Sequence, residues 1–142
     1  MTSAARPCYF MRVDASLYAE LGGEPALRRI IDRFVDRMFD DVMIGFFFAS
    51  VDRARLKQRE FEFAARELGA DLEYGGRPIG AAHGARTIFD GQFARRVKIL
   101  ADTLDEFGVP PRVREHWLER THALRDLIVK GTCQPATSPG ER

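Results

Sequence analysis

Cysteine is scarce in this sequence: Cys8 and Cys133, at opposite ends of 142 residues, are the two present. There is no Cys-x-x-Cys, no Cys-x-x-Cys-His and no clustered Cys/His set, which excludes zinc-ribbon, thioredoxin-like and c-type cofactor-attachment readings. A disulfide joining the two ends is the alternative to a reduced pair, and the reduced pair is expected in a cytoplasmic chain. Long hydrophobic runs are also missing. The opening MTSAARPCYFMR holds no apolar stretch of signal-peptide length, and nothing elsewhere approaches a membrane span, so the cytoplasm is the expected compartment. Charge of one sign is absent too: 22 basic residues are interspersed with 21 acidic ones for a net charge of +1. Neither a nucleic acid nor an acidic membrane is an expected partner on that balance. Among aromatics, one Trp and three Tyr stand against 11 Phe, so the core is expected to be apolar and dry. Sustained period-2 alternation is not seen, which argues against a sheet.

What is present is helical periodicity in a chain long enough for one domain. Residues 1–16 show no clear period, and 131–142 (GTCQPATSPGER) are rich in Gly, Pro, Ser and Thr and read as a disordered tail. Between them, residues 17–130 read as one all-α domain of about four main helices. Gly22-Gly23 marks a turn and Pro25 suits a first helical turn. Leu27, Ile30, Ile31, Phe34, Val35, Met38 and Phe39 then follow helical spacing. Phe46-Phe47-Phe48 makes an apolar corner. Asp52 suits the N-cap of a helix running to Leu68, stopped by Gly69. ADLEYGGRPIG is a loop. Asp90 is expected to cap a helix carrying Phe93, Val97, Leu100, Leu104 and Phe107, ended by Gly108. Pro110-Pro111 opens a last helix with Val113, Trp117, Leu124 and Ile128 on its stripe.

Three histidines are the candidates for metal or proton chemistry: His83, His116 and His122. His116 and His122 are six apart on one predicted helix and so face different ways; two surface histidines is the expected reading. His83 lies between Ala81-Ala82 and Gly84, small neighbours that leave room for a flat group. No second ligand type is near it in sequence. A lone imidazole suits a cofactor that brings four ligands of its own, as haem does, and a satisfied or exposed histidine is the alternative.

The order and spacing of several short stretches resemble the group I truncated haemoglobins from Leu17 to about Ile128, without gaps. LYAELGGEPALRRIIDRF is similar to the family's opening. FFAS followed by VDRARLK is similar to its Phe-Phe corner and distal-helix entry. EFAARELGA with YGGRP, AAHGARTIFDGQF and FGVPPRV follow in the family's order. The resemblance implies a two-over-two helical sandwich around non-covalent haem b. It implies His83 as the proximal metal ligand and Phe48 as the corner residue on the haem face. It places Leu56, Glu60 and Phe63 on the distal side, Val35 where the family usually has tyrosine, and Ile88 and Phe93 on the proximal side. Arg59, Lys57 and Tyr74 fall near the propionates. For Phe63, Phe93 and Ile88 core packing is a compatible role; for Arg59 and Lys57 the alternative is a solvated helix face.

The distal pair departs from the family. Its usual tyrosine and glutamine donate hydrogen bonds to dioxygen, whereas Val35 cannot donate and an ionised Glu60 only accepts. Glu60 shares a helical face with Leu56 and Phe63, an apolar setting that favours a neutral carboxyl able to donate or to act as an acid/base. The alternative is a carboxylate turned to the pocket edge and paired with Arg55, Arg59 or a cation neighbouring the propionates.

Three function classes follow. One is a haem protein binding O2, NO or CO at iron held by His83, with NO or O2 chemistry as an extension. The second is a haem enzyme with peroxidase-like or oxygenase-like activity using Glu60. The third is a haem-free interaction module. The expected partners are a small diatomic ligand and an electron-donating reductase, in a monomer or homodimer. Tyr9, Phe10 and Met11 are expected in a partly ordered N-terminal extension. A pocket role for Glu60 predicts that Glu60→Gln changes ligand affinity or the pH dependence of the ferric spectrum. Spectra and ligand rates identical to the parent across pH would place Glu60 outside the pocket.

Overall fold

The computed structural model describes residues 15–72 and 88–129. In chain order these form α1 (Ala15–Leu21), α2 (Gly23–Asp40), a 3₁₀ turn (Gly45–Phe48), α3 (Arg53–Glu67), α4 (Asp90–Glu106), α5 (Pro111–Ala123) and α6 (Arg125–Ile128). No β-strand occurs among the described residues. Helix α2 packs on α3 and on α4, α4 packs on α5, and α3 meets α5, so two helix pairs lie one over the other. Helix α1 crosses to α2 and α5. It begins at Ala15, inside the stretch that shows no period in sequence.

The expected stripe of α2 is the centre of the core. Leu27, Ile30, Ile31, Phe34, Val35 and Met38 are all buried. Against them lie Phe61, Ala64, Ala65 and Leu68 near the end of α3, Ile99, Leu100 and Leu104 of α4, and Val113 and Trp117 of α5. Burying a Leu, Ile or Phe side chain is worth about 1.5–3 kcal/mol. The flanks of the α2–α3 contact are charged. Lys57 Nζ reaches Asp32 and Asp36 at 2.6 and 2.9 Å, and Arg53 reaches Asp36 at 3.1 Å. Arg28 covers the Phe61 ring at 4.0 Å.

Turn chemistry sets the helix ends. Gly22, with φ of 116°, makes the α1–α2 turn, and a Cβ there would come within 2.8 Å of the Ala26 Cβ. Asp52 caps α3 by accepting from the Arg55 N–H at 3.1 Å, and Gly69 follows its end with φ of 96°. At α4 the expected cap is displaced by one residue: Phe89 is the extended N-cap, and its N–H donates to Gln92 Oε1 at 2.9 Å. Asp90 therefore sits inside the first turn, where negative charge complements the free N–H groups, and its carboxylate pairs with Arg125. Phe107 stands 39% exposed at the end of α4, off the expected stripe, while Thr103 is fully buried on it. The last helix is broken rather than continuous. The Leu124 N–H bonds back only three residues, to the Thr121 carbonyl, a tightening that closes α5.

The corner after α2 is organised by Asp41, whose side chain is 5% exposed. Its Oδ2 accepts from the Met43 and Ile44 N–H groups at 3.0 and 3.2 Å. Its Oδ1 accepts from Arg95 Nε and Nη2 of α4 at 2.9 and 2.7 Å. Gly45 then approaches α2 so closely that a Cβ would lie 2.7 Å from the Phe39 carbonyl oxygen. The hydrogen bonds from Arg95, aided by those two backbone donors, hold the Asp41 carboxyl below the usual aspartate value against the opposing effect of burial. A group lowered in this way stabilises the fold above its unfolded value of about 3.9 and loses that contribution as pH falls through its folded value. Asp41→Asn is therefore expected to lower stability near neutral pH by about 2 kcal/mol. The difference from the parent should close at pH values below about 4, as read from urea midpoints. A difference constant across that range would show that the charge of Asp41 does not contribute.

Candidate functional site

A narrow cleft, open to solvent, lies where four helices meet. One face of α3 supplies Glu60, Phe63, Ala64 and Glu67, at the spacing of a single helical stripe. Ile31 and Phe34 of α2 form the floor. Arg96 and Leu100 come from α4, Trp117, Arg120 and Thr121 from α5, and Leu124 from the break after it.

Its charged residues are matched in pairs. Arg96 Nη2 donates to both Glu60 oxygens at 3.2 Å. Arg120 Nε donates to Glu67 Oε2 at 2.6 Å, and this bond raises the Arg120 pKa above the ordinary arginine value despite opposing desolvation. His116 Nε2–H donates to the Glu67 backbone carbonyl at 2.9 Å, tying the end of α3 to α5. His116 is thus half-buried and hydrogen-bonded rather than a surface residue, whereas His122 is exposed. Thr121 Oγ1 donates back to the Trp117 carbonyl at 2.8 Å. Among the described residues no group of three or more His, Cys, Asp or Glu is placed to hold a metal ion.

The structure brings together some of the residues that sequence singles out. Glu60 and Phe63 line the cleft. Val35 is fully buried within the core, and Leu56 packs against that core. Phe48 is half-buried and stacks on Phe39 with centroids 5.0 Å apart. Phe93 is buried at 4% exposure, and Ile88 is half-buried before α4. Lys57 is engaged with Asp32 and Asp36 of α2, and Arg59 with Glu62 at 3.1 Å. Tyr74 and His83 lie outside the described residues, as do Cys8, Tyr9, Phe10, Met11 and Cys133.

Glu60 is not held among apolar groups alone; its partner is Arg96 of α4. The sequence offers Arg55, Arg59 or a cation neighbouring the propionates as partners, and does not single out Arg96. The available signal was positional: Arg96 lies three residues after Phe93 and four before Leu100, so it borders the buried stripe of α4.

Comparison with known proteins gives a consistent picture. The family described as bacterial-like globin matches residues 16–130. The group 1 truncated haemoglobin GlbN of Mycolicibacterium paratuberculosis is 35% identical over 123 residues, 87% of this chain and 90% of that protein. The group 1 truncated haemoglobin LI410 of Chlamydomonas moewusii is 32% identical over 111 residues, 77% of this chain and 65% of that longer relative. Among solved structures, the truncated haemoglobin of Tetrahymena pyriformis in its Fe(III) form superposes with a TM-score of 0.75 at 25% identity, over 80% of this chain and 97% of that one.

Proposed function

The chain belongs to the bacterial-like globins, among the group 1 truncated haemoglobins, and from that membership we propose that it is a haem protein binding O2, NO or CO at iron held by His83. The observation that carries the reading is the extent of the match: residues 16–130 include the stretch containing His83. The other two histidines support it from the negative side. His116 gives its Nε2 to the Glu67 carbonyl and His122 stands exposed on α5.

The cleft suits the cofactor in kind. A porphyrin is a flat, largely apolar group, and the cleft is lined by the apolar side chains of Phe63 and, at its floor and wall, the core residues Phe34, Ile31 and Leu100. When bound, haem would supply an iron able to take a diatomic ligand. The chain's own residues decide how that ligand is held. Val35 is fully buried and has no donor. Leu56 and Phe63 add exclusion of water but no hydrogen bond. Glu60, as a carboxylate paired with Arg96, accepts hydrogen bonds and gives none. The four positions expected on the distal side therefore hold dioxygen weakly by themselves.

A second reading, peroxidase-like or oxygenase-like chemistry, is favoured by the Glu60–Arg96 pair lining the cleft, since a carboxylate can accept a proton as a base and the guanidinium beside it can steady negative charge. That chemistry draws electrons from a donor of the reductase class. A stable oxy complex on ferrous protein supports gas binding, and rapid autoxidation with fast peroxide turnover supports the second reading. The decisive experiment for both is an absorption series of ferric, ferrous and CO forms for the parent and His83→Ala. The expected result is a Soret band that the substitution abolishes. A band unchanged in His83→Ala would overturn the ligand assignment, and no band even after added haemin would leave a haem-free interaction module.

A further inference from the structure

We propose that Arg96 is the hydrogen-bond donor on the ligand side of this haem site, that Glu60 positions it, and that the pair makes the site selective for small anionic ligands over neutral diatomic ones. The inference rests on the haem reading above.

Three observations point to Arg96. First, it is the cation that α4 sends into the cleft, beside Leu100 and across from Glu60 and Phe63. Its guanidinium carbon stands 5.1 Å from the centroid of Phe34, the ring at the cleft floor. Secondly, its contact with Glu60 uses one nitrogen. Nη2 straddles both carboxylate oxygens at 3.2 Å, so neither Nε nor Nη1 is spent on Glu60. A guanidinium carries five N–H donors and keeps its charge throughout the accessible pH range. Thirdly, at 3.2 Å this contact is longer than the two arginine–carboxylate pairs that close the corner and the end of α3, and close to Arg53–Asp36 at 3.1 Å. Arg95–Asp41 closes at 2.7 Å and Arg120–Glu67 at 2.6 Å. A longer contact through one nitrogen orients the arginine and leaves it exchangeable.

Two other described cations of α3 and α5 are engaged elsewhere. Arg59 is bound to Glu62 and Arg120 to Glu67. Val35 contributes no donor. An anion such as azide gains both a hydrogen bond and charge attraction from Arg96, whereas CO gains little from either. Glu60 opposes the same anion while it holds the arginine in place, so the two members of the pair act on anion affinity with opposite signs.

Those opposite signs separate a ligand contact from a merely structural ion pair. The holoprotein, formed with added haemin and verified by its Soret band, is titrated with sodium azide in the ferric state and with CO in the ferrous state. Arg96→Met is expected to lower azide affinity about tenfold relative to CO affinity. Arg96→Lys should recover part of the loss, and Glu60→Gln should raise azide affinity relative to CO. The proposal is overturned if azide and CO affinities fall by the same factor in Arg96→Met, or if neither moves. It is equally overturned if Glu60→Gln shifts azide affinity in the same direction as Arg96→Met. Should Arg96→Met fail to fold, Arg96→Lys and Glu60→Gln carry the test on the same criteria. A parent with no Soret band defeats the haem reading itself and this proposal with it, whereas a normal band with azide-indifferent variants defeats this proposal alone.

Discussion

The apolar stripe along α2 is too wide for one partner helix to cover. Leu27, Ile30, Ile31, Phe34, Val35 and Met38 span more of the helix circumference than a narrow two-helix seam buries. It therefore needs α3 on one side and α4 on the other, and both make extensive contact with it. That double burial fixes the layout. With α3 and α4 each held to α2, α5 completes the second layer by packing on α4 and reaching α3. The cleft is the space left where these helices diverge, which is why its floor is made of α2 residues and its walls of the other three.

Charge is distributed to match. Around the outside, pairs such as Lys98–Asp102 and Arg28–Glu24 are exposed and contribute little each, about 0–1 kcal/mol. Less exposed pairs have a different role. Arg95 holds Asp41 at the corner, Arg37 donates to the buried Thr103 hydroxyl at 2.9 Å, and Arg120 secures the end of α3. Each joins two helices at a defined place, so the helices are set in register as well as in contact.

Much of this was legible in the sequence because helical spacing reports burial directly. The α2 stripe, the Asp52 cap and the Gly69 and Gly108 stops can be read from residue types alone. The shift of the α4 cap from Asp90 to Phe89 could not, because it depends on the extended backbone at Phe89 and on Arg125 arriving from α6. The break at Leu124 is equally invisible to a periodicity argument, since the hydrophobic spacing runs straight through it. At the site, the α3 face carrying Glu60 and Phe63 was readable from period, but its partner was not. Arg96 lies 36 residues away from Glu60 in sequence, and only the folded arrangement of α4 across from α3 brings the two together. The Glu67–His116–Arg120 cluster was hidden for the same reason.

Phe34 belongs to two structures at once. It is among the most completely buried side chains of the core, and its ring is also the surface on which the Arg96 guanidinium rests within the cleft. Core side chains are close-packed, so a change of shape at this position is felt by every neighbour. In evolutionary terms, the cleft of this protein cannot drift independently of its interior. A lineage that repacks the hydrophobic centre also reshapes the floor of the cleft, and any change of the cleft through this residue is constrained by folding.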